Sequence, residues 1–255
     1  MQYPFDPIHA NIESQVFGLP TGIPDSDAVR QARQEVSSSE DFAALGQALS
    51  RQLRYREAIE AYTAGLNLEP ENLSILRLRA GRYLTTLQPE LAIRDFEVCL
   101  SLGAERLDCL YRMGLAHYYA GRYPTAMECF EAYAPLCDDE VSIAVIYWHT
   151  LSSTRAEKDC SLLRKYHTGM AVGHHTAYEM AMGVWGKAAD LQAARHHLER
   201  ETDDLEWGIT VYGLCWHPDC NYREALLKTV LRRNGFWPSF AYLAAWNDTH
   251  PGTAN

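Results

Sequence analysis

A small residue followed four positions later by an aromatic recurs at a fixed interval, and that interval governs what this chain can fold into. Ala58 with Tyr62, Ala92 with Phe96, and Ala126 with Phe130 are spaced 34 residues apart. Upstream, Leu45-Gly46, Arg79-Ala80 and Met113-Gly114 keep the same step, and Pro89 lies midway between Tyr55 and Tyr123. Self-similarity at this period marks stacked supersecondary units, because one unit of this length cannot bury its own apolar face. Unit starts are predicted near Ser39, Leu73 and Leu107.

Each unit reads as two amphipathic helices and a short turn. In the third, Leu110, Met113, Gly114 and His117 follow helical spacing, "AGRY" makes the turn, and Tyr123, Ala126, Met127 and Phe130 resume the spacing. Gly or Ala at the eighth position lets the second helix lie against the first, and the aromatic fills the gap between units. The pattern resembles the tetratricopeptide repeat, a 34-residue helix-turn-helix unit with Gly, Ala, aromatic and Pro at fixed offsets. "YREAIEAYTAGLNLEP" is then a second helix that Pro70 ends.

The resemblance implies an all-α fold, a right-handed superhelical solenoid of antiparallel helix pairs. It is strong over residues 39–140 as three well-formed units and weaker over 141–237 as three degenerate ones. The latter start near Val141, His175 and Glu206, with Trp148 at a small-residue position and Cys160 at an alanine position. Residues 238–255 read as a capping helix and tail. Residues 1–24, with four prolines, read as an extended arm, and 25–38 as an N-terminal helix.

Charge narrows the partners. A formal net charge of -10 argues against nucleic acid as the main ligand. The start lacks the basic and apolar regions of a secretory signal, and the sequence holds no apolar run of about 18 residues, so no membrane span is expected. Seven cysteines, most of them in helix-like segments, read as reduced, buried thiols, so the expected location is cytoplasmic.

By the family's geometry the first helices line a concave groove, with the ligand-facing set Arg51, Arg77, Tyr111, Arg112, Tyr118, Tyr119, His149, Trp207 and His217. Arginines fork carboxylates and tyrosines add flat contact area, so the expected ligand is a protein or peptide segment with acidic groups. The family's carboxylate clamp of Lys and Asn is not matched, since Ala43, Gln47 and Leu78 hold those positions and Arg112 alone suits. The expected role is a scaffold or adaptor, not an enzyme, without cofactor: no P-loop, nucleophile elbow, G-x-G-x-x-G or H-E-x-x-H motif is present. One alternative is a metal protein or enzyme using the His-rich fourth to sixth units. There His175 with Glu179 and His197 with Glu201 sit four apart, and "CWHPDC" offers Cys215, His217 and Cys220. The bland reading, surface histidines and a turn, is preferred for both. The other alternative is a homo-oligomer assembled through the arm.

Overall fold

The structure, a computed structural model, describes residues 6–34, 36–233 and 235–252, with backbone alone at 139. Among them the chain is all helix, without a strand, and consecutive helices pack as pairs as the fold class expected. It divides into two compact units, the first ending at Arg112 and the second running Met113–Pro251.

The first unit holds α1 (Ile12–Phe17), α2 (Asp27–Gln34), α3 (Ser39–Arg51), α4 (Tyr55–Leu68), α5 (Leu73–Thr85) and α6 (Pro89–Ser101), and the start of α7 (Arg106–Tyr119). Side chains start these helices where the period expects them. Ser38 and Asp41 form a reciprocal capping box on α3, Asn72 caps α5, and Pro89 opens α6, where its missing N–H costs nothing. The small-residue rule has a direct steric basis. A Cβ added to Gly46 would overlap the Tyr62 ring, and at the positions one repeat on, Ala80 and Phe96 are both fully buried.

The turns between paired helices repeat as well. Leu53 (φ 53°), Leu87 (φ 52°) and Gly121 (φ 72°) all adopt the left-handed conformation. Those positions are again 34 apart. Leucine tolerates this strain because each of the two is buried in the core it helps close.

The segment 1–24, expected to be extended, contains α1. Asn11 accepts a hydrogen bond from the Ser14 N–H at 2.9 Å, and Gly18 ends the helix with φ 67°. Of the expected arm, residues 1–5 lie outside the described ones. The rest packs on its own unit. The Asp6 N–H donates to the Arg51 carbonyl at 2.7 Å and the Ala10 N–H to the Gln52 carbonyl at 2.8 Å. Arg56 donates to the carbonyls of Gln15 and Val16, each at 2.6 Å.

The second unit continues with α8 (Tyr123–Tyr133), α9 (Asp139–Arg155), α10 (Thr176–Trp185), α11 (Leu191–Leu198), α12 (Asp204–Cys215), α13 (Arg223–Arg232) and α14 (Phe240–Thr249). Regular pairing loosens here. After α9, where the period expects a second helix, only a 3-10 turn spans Ser161–Lys165, and an irregular stretch follows. Gly169 (φ 88°) and Gly173 (φ 52°) take left-handed conformations that no α-helix accommodates. Helix α10 accordingly packs chiefly on α9 and α12 rather than on α11. Gly213 of α12 approaches Tyr147 of α9, whose ring would lie 2.5 Å from an added Cβ.

Candidate interaction surface

Arginines in the first unit fall into two groups. Arg54 and Arg79 are spoken for. Arg54 donates to Glu57 at 2.6 and 2.7 Å and to Asp25 at 2.6 Å, and Arg79 makes a bidentate pair with Asp95, both bonds at 2.8 Å. These forks fasten helices to one another.

Arg77, Arg82 and Arg112 behave otherwise. Arg77, on α5, reaches Asp108 at the start of α7 at 2.8 Å, and both side chains remain more than a third exposed. Arg82, one turn on, stacks over the Tyr55 ring at 4.4 Å. Arg112 has no carboxylate at ion-pair distance among the described residues. It is exposed, yet the protein around it strips part of its hydration, and the charges of Arg82 and Arg77 add repulsion; its pKa is lowered. Tyr111 lies beside it, half-buried. Arg77 and Arg82 of α5 thus repel Arg112 of α7, and among the described residues Asp108, held by Arg77, is the one carboxylate ion-paired with any of the three. Such a surface has an unmet appetite for negative charge.

The remaining predicted residues are elsewhere. Arg51 borders a cleft of about 530 Å³ with Asp6, Ile8, Asp25, Asp27 and Arg30, and carboxylates already surround it. Tyr118 and Tyr119 are buried, as is His149. None of the three is open to a groove: α14 returns over Tyr119, whose hydroxyl donates to the Phe240 carbonyl while Asn247 donates to its carbonyl, each at 2.9 Å, and Tyr118 packs on Trp148 and Tyr212. Trp207 is half-buried beneath the Arg233 guanidinium at 4.7 Å. His217 packs edge-on against Trp185 at 5.0 Å and borders a cleft of about 550 Å³ with Lys187, Asp190 and Asp219.

His149 turns into a polar knot. Its Nε2 meets Glu131 Oε1 at 3.1 Å and Ser161 Oγ at 3.3 Å, while Nδ1 meets Ser153 Oγ at 3.3 Å. Burial pulls the imidazole pKa down, against the opposing pull of Glu131. Glu131 and Ser161 share one ring nitrogen; Ser153 lies on the other, but it is fully buried and its hydroxyl donates to the His149 backbone carbonyl at 2.8 Å, so its proton is committed to the helix rather than to the imidazole. The knot pins the 3-10 turn to α8 and α9.

Among the described residues, no three His, Cys, Asp or Glu side chains converge as a metal ion would need. His197 pairs with Glu201 at 3.7 Å, and His175 packs edge-on against Tyr178 at 5.7 Å. Nor, among the described residues, is any helix long and apolar enough to cross a membrane.

No protein-family model matches the chain. It is similar to the outer dynein arm-docking complex subunit 4 of Xenopus laevis, 31% identical over 98 residues. That match covers 38% of this chain and 18% of the relative, so the chain spans less than a fifth of the relative's length.

Proposed function

We propose that the chain is a tetratricopeptide-like interaction module, an adaptor whose first unit holds an acidic protein segment across α5 and α7. One observation carries this reading: Arg82 and Arg77 lie near enough to Arg112 to repel it, while among the described residues Asp108, paired with Arg77, is the one carboxylate in an ion pair with any of the three. Guanidinium forks match carboxylates bidentately, and the half-buried Tyr111 offers an apolar contact beside them. The 34-residue period and the partial likeness to a docking-complex subunit both support a protein partner. The scaffold is preformed, so the ordering cost of binding falls on the partner segment. Seven free cysteines suit a reducing compartment such as the cytoplasm.

The test is fluorescence anisotropy with a labelled peptide rich in Glu and Asp that carries one tyrosine. Wild-type protein should bind it, and Arg77→Glu with Arg112→Glu should weaken binding by at least about tenfold, two charged contacts being lost and reversed. Equal affinity for both proteins contradicts the reading.

A further inference from the structure

Helix α14 brings a charge where a capping helix needs only apolar cover. Ala241, Leu243, Ala244 and Ala245 already bury its inward face, yet Asp248 also points inward, its side chain 6% exposed. A buried carboxylate is costly unless donors meet it. Here each oxygen has its own. Arg155 Nη1 donates to Oδ1 at 2.6 Å, and the Tyr212 hydroxyl donates to Oδ2 at 2.7 Å.

The donors are themselves held. Arg155 also donates to the Tyr118 oxygen at 3.2 Å, and the Tyr118 and Tyr212 hydroxyls lie 2.8 Å apart. Because Tyr212 gives its proton to Asp248, Tyr118 must be the donor between the two tyrosines. Every hydroxyl in the chain then points toward the carboxylate. The guanidinium lies over the Trp216 ring at 4.1 Å and the Tyr123 ring at 4.3 Å, and Arg223 also lies over Trp216 at 4.3 Å. Arg155 stays cationic: burial pulls its pKa down, but Tyr118, Tyr212 and Asp248 together leave it raised. Residues of α7, α9 and α12, with Tyr123 and Trp216 at helix ends, make up the receptor. Helix α14 contributes only what is received.

We propose that Arg155, Tyr212 and Tyr118 form a carboxylate-binding site that Asp248 fills in cis, so that α14 is an internal ligand of the second unit. A small carboxylate supplied from solution takes the site once the Asp248 carboxylate is removed. Any partner segment that displaces α14 must therefore bring a carboxylate of its own. The site is independent of the arginine face on α5 and α7.

The probe is acetate. Thermal unfolding of full-length wild type and Asp248→Ala is followed in sodium acetate and in sodium chloride of equal ionic strength. Acetate should raise the midpoint of Asp248→Ala by about 3 °C beyond chloride at saturation, and leave wild type unmoved. Adding Arg155→Gln to Asp248→Ala should abolish the acetate effect. If acetate and chloride act alike on Asp248→Ala, or if acetate helps wild type equally, the proposal fails. Should Asp248→Ala collect as insoluble protein, its refolding yield is compared in the two salts. A higher yield in acetate then supports the site, and equal yields overturn it.

Discussion

One arginine site in each unit sets the two apart. In the second, Arg155 lies inside the fold and the chain itself supplies the counter-charge, Asp248, from 93 residues away. In the first, Arg77, Arg82 and Arg112 lie near one another at least partly exposed, and among the described residues Asp108 is the one carboxylate ion-paired with any of them. The buried arrangement is an internal joint; the more exposed one is the surface that the proposed function assigns to a partner. Packing differs in the same sense. Around Gly46 and Ala80 the pairs are regular and close, whereas α10 and α11 pair loosely and α14 fills the space that repetition leaves open.

The sharpest way to break this comparison is to neutralise both kinds of arginine. Arg155→Met should cost about 3–5 kcal/mol in urea unfolding, because it leaves Asp248 buried without its cation. Adding Asp248→Leu should recover most of that loss. Arg77→Met should stay within about 1 kcal/mol of wild type, since its pair with Asp108 is more than a third exposed and screened. If the two single variants lose equal stability, the distinction collapses.

The regularity of the first unit can be probed at Gly46. Gly46→Ala should destabilise by about 1–2 kcal/mol by chemical denaturation, as the overlap with Tyr62 exceeds the gain in helix propensity. No change would show that Tyr62 swings aside freely. The second unit should respond to mild acid through His149. Its pKa is lowered in the fold from 6.5, so above that value its contribution is whole. As pH falls below it, the unfolded chain takes the proton first and stability declines until the lowered native value is passed. The groups facing it are Glu131 from α8 and Asp159, with Lys158 beside Glu131. The Glu131 pKa is itself lowered from 4.5, so its own loss comes at more acid pH. His149→Gln should therefore flatten the stability curve just below pH 6.5, read by thermal unfolding. The smallest effect is expected at Lys187, exposed with φ 59°, where Lys187→Gly should stabilise by about 0.5–1 kcal/mol.

The period told most where structure is local. Helices α3 and α5 begin at Ser39 and Leu73, the expected residues, and α7 begins one residue before Leu107. Small residue and aromatic meet because both lie within one helix pair. The left-handed turns at Leu53 and Leu87 went unread, although the step to Gly121 carried the signal. Misreading begins where long-range contact decides. Tyr118 and Tyr119 occupy groove positions by their offset, but distant elements bury them: Trp148, Arg155 and Tyr212 meet Tyr118, and α14 meets Tyr119. Nothing local marks Asp248 in "AAWNDTH" as different from a polar helix end. Arg155, closing the long apolar helix "VSIAVIYWHTLSSTR", was the better clue, since a cation there needs a partner from elsewhere. Arg77 and Arg112 could be placed together because they sit close to one repeat apart, on adjacent first helices.

Hydrogen–deuterium exchange of the full chain, with and without the acidic tyrosine-bearing peptide, tests the contrast between open and filled arginines directly. Protection should appear in residues 73–85 and 106–112 and be absent from 240–249. Protection centred on 240–249 with none on α5 and α7, or no protection anywhere at saturating peptide, would contradict it.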